Sequence, residues 1–316
     1  MAEVKMDSTR DVYGKTLVEL GKKNPNIVVL DADLSVSTKT SLFAKQFPER
    51  FFDVGVAEQD MISLAAGLAT TGKVVFASTF AVFATGRAWE QVRASVAYPR
   101  LNVKIVATHG GITTGEDGVT HQATEDIAIM RVLPNITVVV PCDSIETAKA
   151  IEAVASAYGP AYVRLSRPKT PVLNSSDYQF KIGKGVVMAP GKDLTIVATG
   201  IMVAAALEAK ETLQKEGINA RVVNMHTIKP LDNELLVQCA RETGGIITAE
   251  EHSVLGGLGG AVAEVLAENH PTPLLRVGQR DIFAESGKPA ELLEKYGMTA
   301  SDIVRAAKEL VERKAS

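Results

Sequence analysis

The chain has 316 residues, 46% of them hydrophobic and 22% charged, with a formal net charge of −3. That length suits two hydrophobic cores, and folding at this size buries roughly three quarters of the unfolded chain's surface. The near-neutral, evenly mixed charge excludes the electrostatic footprint of a nucleic-acid or membrane-surface binder, and no apolar run of about 18 residues is present to span a bilayer.

Along the chain, short β-branched runs alternate with helical patterns. The spacing predicts a helix over 11–23, a strand over 27–30, a helix over 57–69, a strand over 74–77 and a helix over 87–96. Strands over 103–108 and 137–140, a helix over 144–156 and a strand over 162–165 follow. A polar, turn-rich stretch over 167–192 then interrupts the pattern. Beyond it come strands over 194–199, 220–224, 245–249 and 273–277, with helices over 202–214 and 233–241. The end reads as an amphipathic helix over 300–311, capped by Thr299 or Ser301. The strands are continuous apolar runs, as strands buried on both faces of a parallel sheet must be. The expectation is therefore an α/β chain of two doubly wound domains, 1–185 and 186–316. Cys142 and Cys239 are too few for a disulfide framework and lack metal-ligand spacing, so they read as buried thiols. With charged residues and no apolar signal region at the start, the expected location is cytoplasmic.

Polar residues at element ends carry the candidate chemistry. Glu58 opens a helix that is apolar nearly all round, so burial of that helix is expected, with the acid favoured by the helix dipole. Its alternative role is a terminal charge, shared with Asp60. His109 follows the strand over 103–108, at the carboxyl end where open α/β sheets bind ligands, or else simply bonds to backbone. Glycines 110, 111, 115 and 118 permit close approach to a ligand but also occur in any turn. Asp117 and His121, four apart, suit a charge-tuned pair or contacts to sugar hydroxyls, and no third ligand is spaced for zinc. Phe80 and Phe83 are core residues or the walls of a slot for a flat ring. Arg10, Ser37 and Arg167 are phosphate contacts or surface pairings. The run Gly256-Gly-Leu-Gly-Gly has Val262 where a dinucleotide fingerprint needs its third glycine, so it reads as close helix packing. His226 and His252 read as structural or interface residues.

Taken in order, Phe52-Asp-Val-Gly-Val-Ala-Glu-Gln, Ser78-Thr-Phe, Thr108-His109 and Gly115-Glu-Asp-Gly-Val-Thr-His-Gln resemble the C-terminal half of transketolase. The similarity covers essentially the whole chain, as a pyrimidine-binding domain followed by a smaller transketolase C-terminal domain. It implies thiamine diphosphate as cofactor, with Glu58 bonding the aminopyrimidine ring nitrogen and Phe80, Phe83 and Asp33 around the cofactor. It further implies that Asp117 and His121 meet the donor sugar's hydroxyls, with His121 catalytic beside Glu58. Arg10, Ser37, His109 and Arg167 match the residues that hold the sugar phosphate. Two departures stand out. Gly86 occupies a position where the family often has Tyr, and Ala57-Glu58-Gln59 replaces Arg-Glu-His. The second form is also that of 1-deoxyxylulose-5-phosphate synthase, which usually lacks His109 and the Gly-Glu-Asp-Gly run.

The family's Gly-Asp-Gly motif for diphosphate and magnesium is missing. The resemblance therefore implies a split enzyme of the pentose phosphate type. A separate N-terminal subunit would hold magnesium and diphosphate, this chain would supply no metal ligand, and pairs of half-chains would form a heterotetramer containing a homodimer of this chain. Ketol transfer between sugar phosphates would then need that partner. The alternatives are a 1-deoxyxylulose-5-phosphate synthase-like subunit, a 2-oxoacid dehydrogenase beta-like subunit, and a non-catalytic assembly subunit.

Overall fold

A computed structural model describes residues 5–315. Its larger sheet has seven strands in the order Thr227–Lys229, Thr137–Val139, Ala161–Arg164, Val103–Ala107, Val74–Ser78, Ile27–Asp31 and Phe51–Asp53. All neighbours are parallel except Thr227–Lys229, which runs antiparallel to Thr137–Val139. The smaller sheet is ordered Leu274–Gln279, Ile246–Ser253, Leu194–Ala198, Ala220–Asn224 and Val186–Ala189, with only the last strand antiparallel. The strands Ile27–Asp31, Val103–Ala107 and Leu194–Ala198 are mainly apolar and buried at every residue, including Asp31, Thr195 and Lys104, whose ammonium donates to the Ala157 and Gly159 carbonyls. The α/β expectation of two helix-flanked, mainly parallel sheets holds.

The halves are joined more closely than a linker would join them. Strand Thr227–Lys229 comes from the second half yet completes the first sheet. One apolar cluster runs from Leu30, Ile62 and Val138 into Val223, Met225 and Leu236. Helix Ala300–Ala315 begins at Thr299, whose side chain accepts from the amide of Asp302 while the Asp302 carboxylate accepts from the amide of Thr299. This reciprocal capping selects Thr299 over Ser301.

Two expectations are corrected. The helix over 87–96 is instead a π turn, Phe83–Arg87, a short α turn, Trp89–Gln91, and a second π turn, Val92–Ala97. The wider turns start before the expected helix and re-aim Phe83 and Arg87. Helix Glu58–Thr70 is not buried all round. Met61, Ile62, Ala65, Ala66 and Ala69 face the core, while Gln59, Asp60, Ser63, Leu64 and Gly67 are exposed. Its polar residues Gln59, Asp60 and Ser63 gather on the exposed face, which Leu64 shares at 39% exposure.

Candidate active site

The strands Ile27–Asp31, Phe51–Asp53 and Val74–Ser78 end level with one another, Asp31 lying opposite both Asp53 and Ser78. The loops after these strands and after Val103–Ala107 therefore open at one edge, the place where α/β sheets present ligand-binding groups. Two bonds tie neighbouring loops: the Thr108 amide donates to the Thr79 carbonyl at 3.1 Å, and the Ala81 amide donates to the Thr108 carbonyl at 2.7 Å. This pairing lays the Phe80 ring against His109.

The result is a run of four planar groups. His109 stacks on Phe80 at 3.7 Å between centroids, Phe80 stacks on Phe83 at 6.1 Å and 14°, and the Arg87 guanidinium lies 4.6 Å from the Phe83 centroid. His121 meets Phe83 edge-on at 5.2 Å and Phe80 at 6.3 Å. The far end of the run returns to Glu58, whose Oε2 accepts from Arg87 Nη1 at 2.7 Å. Glu58 is 1% exposed and Arg87 is 48% exposed, so a buried acid is met by a cation that reaches it from solvent. Beside Gly86, a Cβ would find nothing within 4 Å, so the absent side chain leaves open space next to this run.

His109 is buried in a left-handed conformation, φ 62°, with Nδ1 bonded to the Thr108 hydroxyl at 2.8 Å. Burial, then the charges of Arg10, Arg167 and His121, press its pKa down to about 3, so the ring is neutral near pH 7. Arg10 and Arg167 are brought together: Arg10 Nη2 donates to the Arg167 carbonyl at 3.1 Å and Nη1 to the Ser37 carbonyl at 2.8 Å. Arg10 Nε is buried without a partner among the described residues. Burial, the first cause, lowers the Arg10 pKa despite neighbouring Asp11. The unspent Arg10 donor suits an anion, while the Arg167 guanidinium is paired with the exposed Glu116 carboxylate at 2.6 Å, a contact that an incoming anion would displace.

Other expected residues lie apart. Asp33 is exposed at φ 62° and its amide donates to Asp53 Oδ1 at 3.0 Å, with no contact to the aromatic run among the described residues. Asp117 is exposed at the end of the 3-10 turn Ile112–Asp117. The expected Asp117–His121 pair is not formed, because His121 Nδ1 bonds instead to the Thr120 hydroxyl at 2.9 Å.

The glycines of this loop make room for the protein itself. A Cβ on Gly111, at φ 83°, would lie 2.2 Å from the Glu251 carboxyl carbon, and one on Gly118 would lie 2.3 Å from Ser286 Oγ. In the second half, Glu250 accepts from the amides of Leu258 and Gly259, and a Cβ on Gly257 would strike its carboxylate. The Gly256–Gly260 run is therefore close packing around a helix start, as expected. His252 is buried between the Ala128 amide and the Ser253 carbonyl, and His226 packs on Phe180 at 4.3 Å.

Three participants escaped the sequence reading. Arg87 had a signal, its four-residue spacing from Phe83. Asp31 had none: it accepts from the Leu34 amide and from the hydroxyls of Thr38 and Thr40, shaping the loop that carries Asp33 and Ser37. Burial raises its pKa to about 6 against those three bonds. Glu251 was visible only as the second acid of a Glu-Glu-His run. Its carboxylate accepts from the Thr113 amide at 2.7 Å, and burial pushes its pKa up to about 7.

Comparison with known proteins agrees with this geometry. The model of the transketolase pyrimidine-binding domain matches residues 5–172, and that of the transketolase C-terminal domain matches residues 183–303. The chain is 54% identical over 307 residues to the "Putative transketolase C-terminal section" of Methanocaldococcus jannaschii, covering 96% of each. It is 48% identical over 314 residues to the 6-deoxy-6-sulfo-D-fructose transketolase subunit SqwH of Clostridium sp. strain MSTE9, covering 99% of this chain and 98% of that one. A solved structure described as "Split gene transketolase, inactive beta4 tetramer" superposes with a TM-score of 0.91 at 58% identity, covering 96% of this chain and 98% of that chain. The chain therefore belongs to the transketolase family, of which it carries the pyrimidine-binding and C-terminal domains.

Proposed function

We propose that this chain is the C-terminal subunit of a split, thiamine diphosphate-dependent transketolase that moves a two-carbon ketol unit from a ketose phosphate to an aldose phosphate. The observation that carries the reading is the buried Glu58 carboxylate at one end of a stack formed by Arg87, Phe83, Phe80 and His109. The residues fit the pyrimidine part of the cofactor. Glu58 Oε1 has no hydrogen-bond partner among the described residues, the two Phe rings are near-parallel, and the space beside Gly86 is open.

In this reading Glu58 holds a proton at the pyrimidine ring nitrogen, Phe80 and Phe83 flank the ring, and Asp33 lies on the adjoining loop. Thiamine diphosphate supplies the nucleophile and electron sink when bound. Arg10 and Arg167 bind the sugar phosphate with Ser37 and with His109, which works as a neutral hydrogen-bonding group. Asp117 and His121 meet the sugar hydroxyls, and His121 exchanges protons with the reacting oxygen. Magnesium is assigned to the N-terminal partner in this reading; among the described residues there is no cluster of three His, Cys, Asp or Glu side chains that could hold a metal.

The split relative, described as an inactive β4 tetramer, supports a missing partner and an oligomeric chain, and we propose that with the partner two copies of this chain sit in a heterotetramer. We place the domain boundary between residues 185 and 186, where the first strand of the smaller sheet begins. No helix among the described residues is long and apolar enough to cross a membrane.

The test is ketol transfer from xylulose 5-phosphate to ribose 5-phosphate, with the N-terminal subunit, thiamine diphosphate and magnesium. Turnover that needs both subunits and is lost in Glu58→Ala supports the proposal. Turnover by this chain alone, or full activity in Glu58→Ala, overturns it. The similarity to a sulfofructose transketolase subunit makes 6-deoxy-6-sulfofructose the second donor to try, and preference for it would revise the sugar but not the reaction.

A further inference from the structure

The loop that follows His109 takes its shape from the second half of the chain. Glu251 stands near the end of strand Ile246–Ser253, and its Oε1 reaches across the junction to the Thr113 amide at 2.7 Å. Its carboxyl group presses on Gly111, where no Cβ fits. Its backbone is fixed as well, because Arg164 Nη2 donates to the Glu251 carbonyl at 2.9 Å and to the Ala123 carbonyl at 3.0 Å. Arg164 is itself held by Asp126 at 2.7 Å. Glu251 thus sits on a rigid, buried base.

What it holds is the pivot of the loop. Thr114, next to the gripped amide, donates from Oγ1 to the His109 carbonyl at 2.8 Å. The Thr114 carbonyl accepts from Arg167 Nη1 at 2.8 Å. One residue therefore links the backbone of His109 to the guanidinium of Arg167, and Glu251 fixes the amide immediately before it. Glu251 Oε2 is buried with no partner among the described residues, so the carboxyl group's bond is the one to the Thr113 amide.

We propose that Glu251 is a positioning residue which, through the Thr113 amide, sets the relative placement of His109 and Arg167 and so the affinity for the sugar phosphate. This rests on the functional reading above, which assigns those two residues to the phosphate. It also gives the second half a task in the site, although its own side chains stay out of the aromatic run.

The test uses the chain assembled with its N-terminal partner and compares Glu251→Ala, Glu251→Asp and Glu251→Gln. Gln keeps an acceptor at the right reach, Asp withdraws it by one methylene and Ala removes it. In Ala and Asp, amide exchange of 109–118 should speed up by about tenfold, the scale of one buried hydrogen bond. The KM for xylulose 5-phosphate should rise by a similar factor, about tenfold, with kcat and thiamine diphosphate affinity within about threefold. Gln should restore both readouts. Unchanged exchange in Asp, or a fall in kcat and cofactor affinity at constant KM, overturns the proposal. If Ala fails to fold, Asp against Gln carries the same contrast. If the wild-type assembly shows no ketol transfer, the functional reading fails, and the exchange comparison still decides whether Glu251 holds the loop.

Discussion

Two clusters of acids, arginines and histidines lie close together in this molecule and behave differently. At the domain junction, Asp126, Arg164, Glu250 and His252 spend most of their polar atoms on their own chain. Asp126 Oδ2 accepts from Tyr162 and Arg164, Glu250 accepts from two helix-start amides, and His252 is bonded at both ring nitrogens. At the strand ends, Glu58 has Arg87 alone, Arg10 keeps an unspent donor, and Arg87 reaches in from solvent. The residue types are the same. The difference is that the junction, although it leaves Asp126 Oδ1 and Glu251 Oε2 unpaired among the described residues, spends its cation and its remaining acceptors on its own chain, whereas site groups hold bonding capacity where something from outside can reach it.

Substitution should separate the two clusters. The largest effect belongs to Glu58→Ala, which should cut ketol transfer of the assembled enzyme by about a thousandfold, within the range for a lost proton-handling group. Its melting temperature should hardly move, because Arg87 can turn to water. Asp126→Ala should do the reverse. It strands Arg164 as a buried unpaired cation and should cost about 3–5 kcal/mol in a denaturant titration. Equal stability losses in the two variants would erase the distinction drawn here.

Gly111→Ala comes next. It demands φ 83° of an L-residue and drives a methyl into Glu251, so a loss of about 1–3 kcal/mol is expected. Gly86→Ala, with open space around it, is the control that should stay near neutral. The last effect is a pH dependence, small near neutral pH. His109 has a folded pKa of about 3 against an ordinary value of 6.5. Below pH 6.5 the unfolded state therefore binds the extra proton and the folded state does not. The associated stability is fully present above pH 6.5 and is lost as pH falls toward 3, by up to about 1.4 kcal/mol per pH unit. His109→Gln should flatten that acid limb in urea titrations between pH 6.5 and 5. An unchanged limb would mean that His109 is not the group responsible.

Much of this was legible in the sequence because it depends on local pattern. Fully buried parallel strands read as apolar runs, and the loops after them carry Glu58, Phe80 and His109. The edge strand Phe51–Asp53 was hidden inside the motif leading to Glu58, since two of its three residues are exposed. Thr227–Lys229 could not be assigned to the first sheet, because three residues carry no record of which edge they will pair with. The π turns over 83–97 defeat a 3.6-residue period by construction. Glu251 was the least legible residue. Its role depends on a contact 138 positions away in the chain, and only the folded junction brings that contact about.

Binding of thiamine diphosphate tests the central claim most directly, that this chain holds half of a cofactor site. Calorimetric titration in magnesium should be run on this chain, on its N-terminal partner and on their mixture. The account predicts tight, stoichiometric binding by the mixture, sharply weakened by Glu58→Ala, and little heat from either subunit alone. Tight binding by this chain without a partner, unaffected by Glu58→Ala, would contradict it.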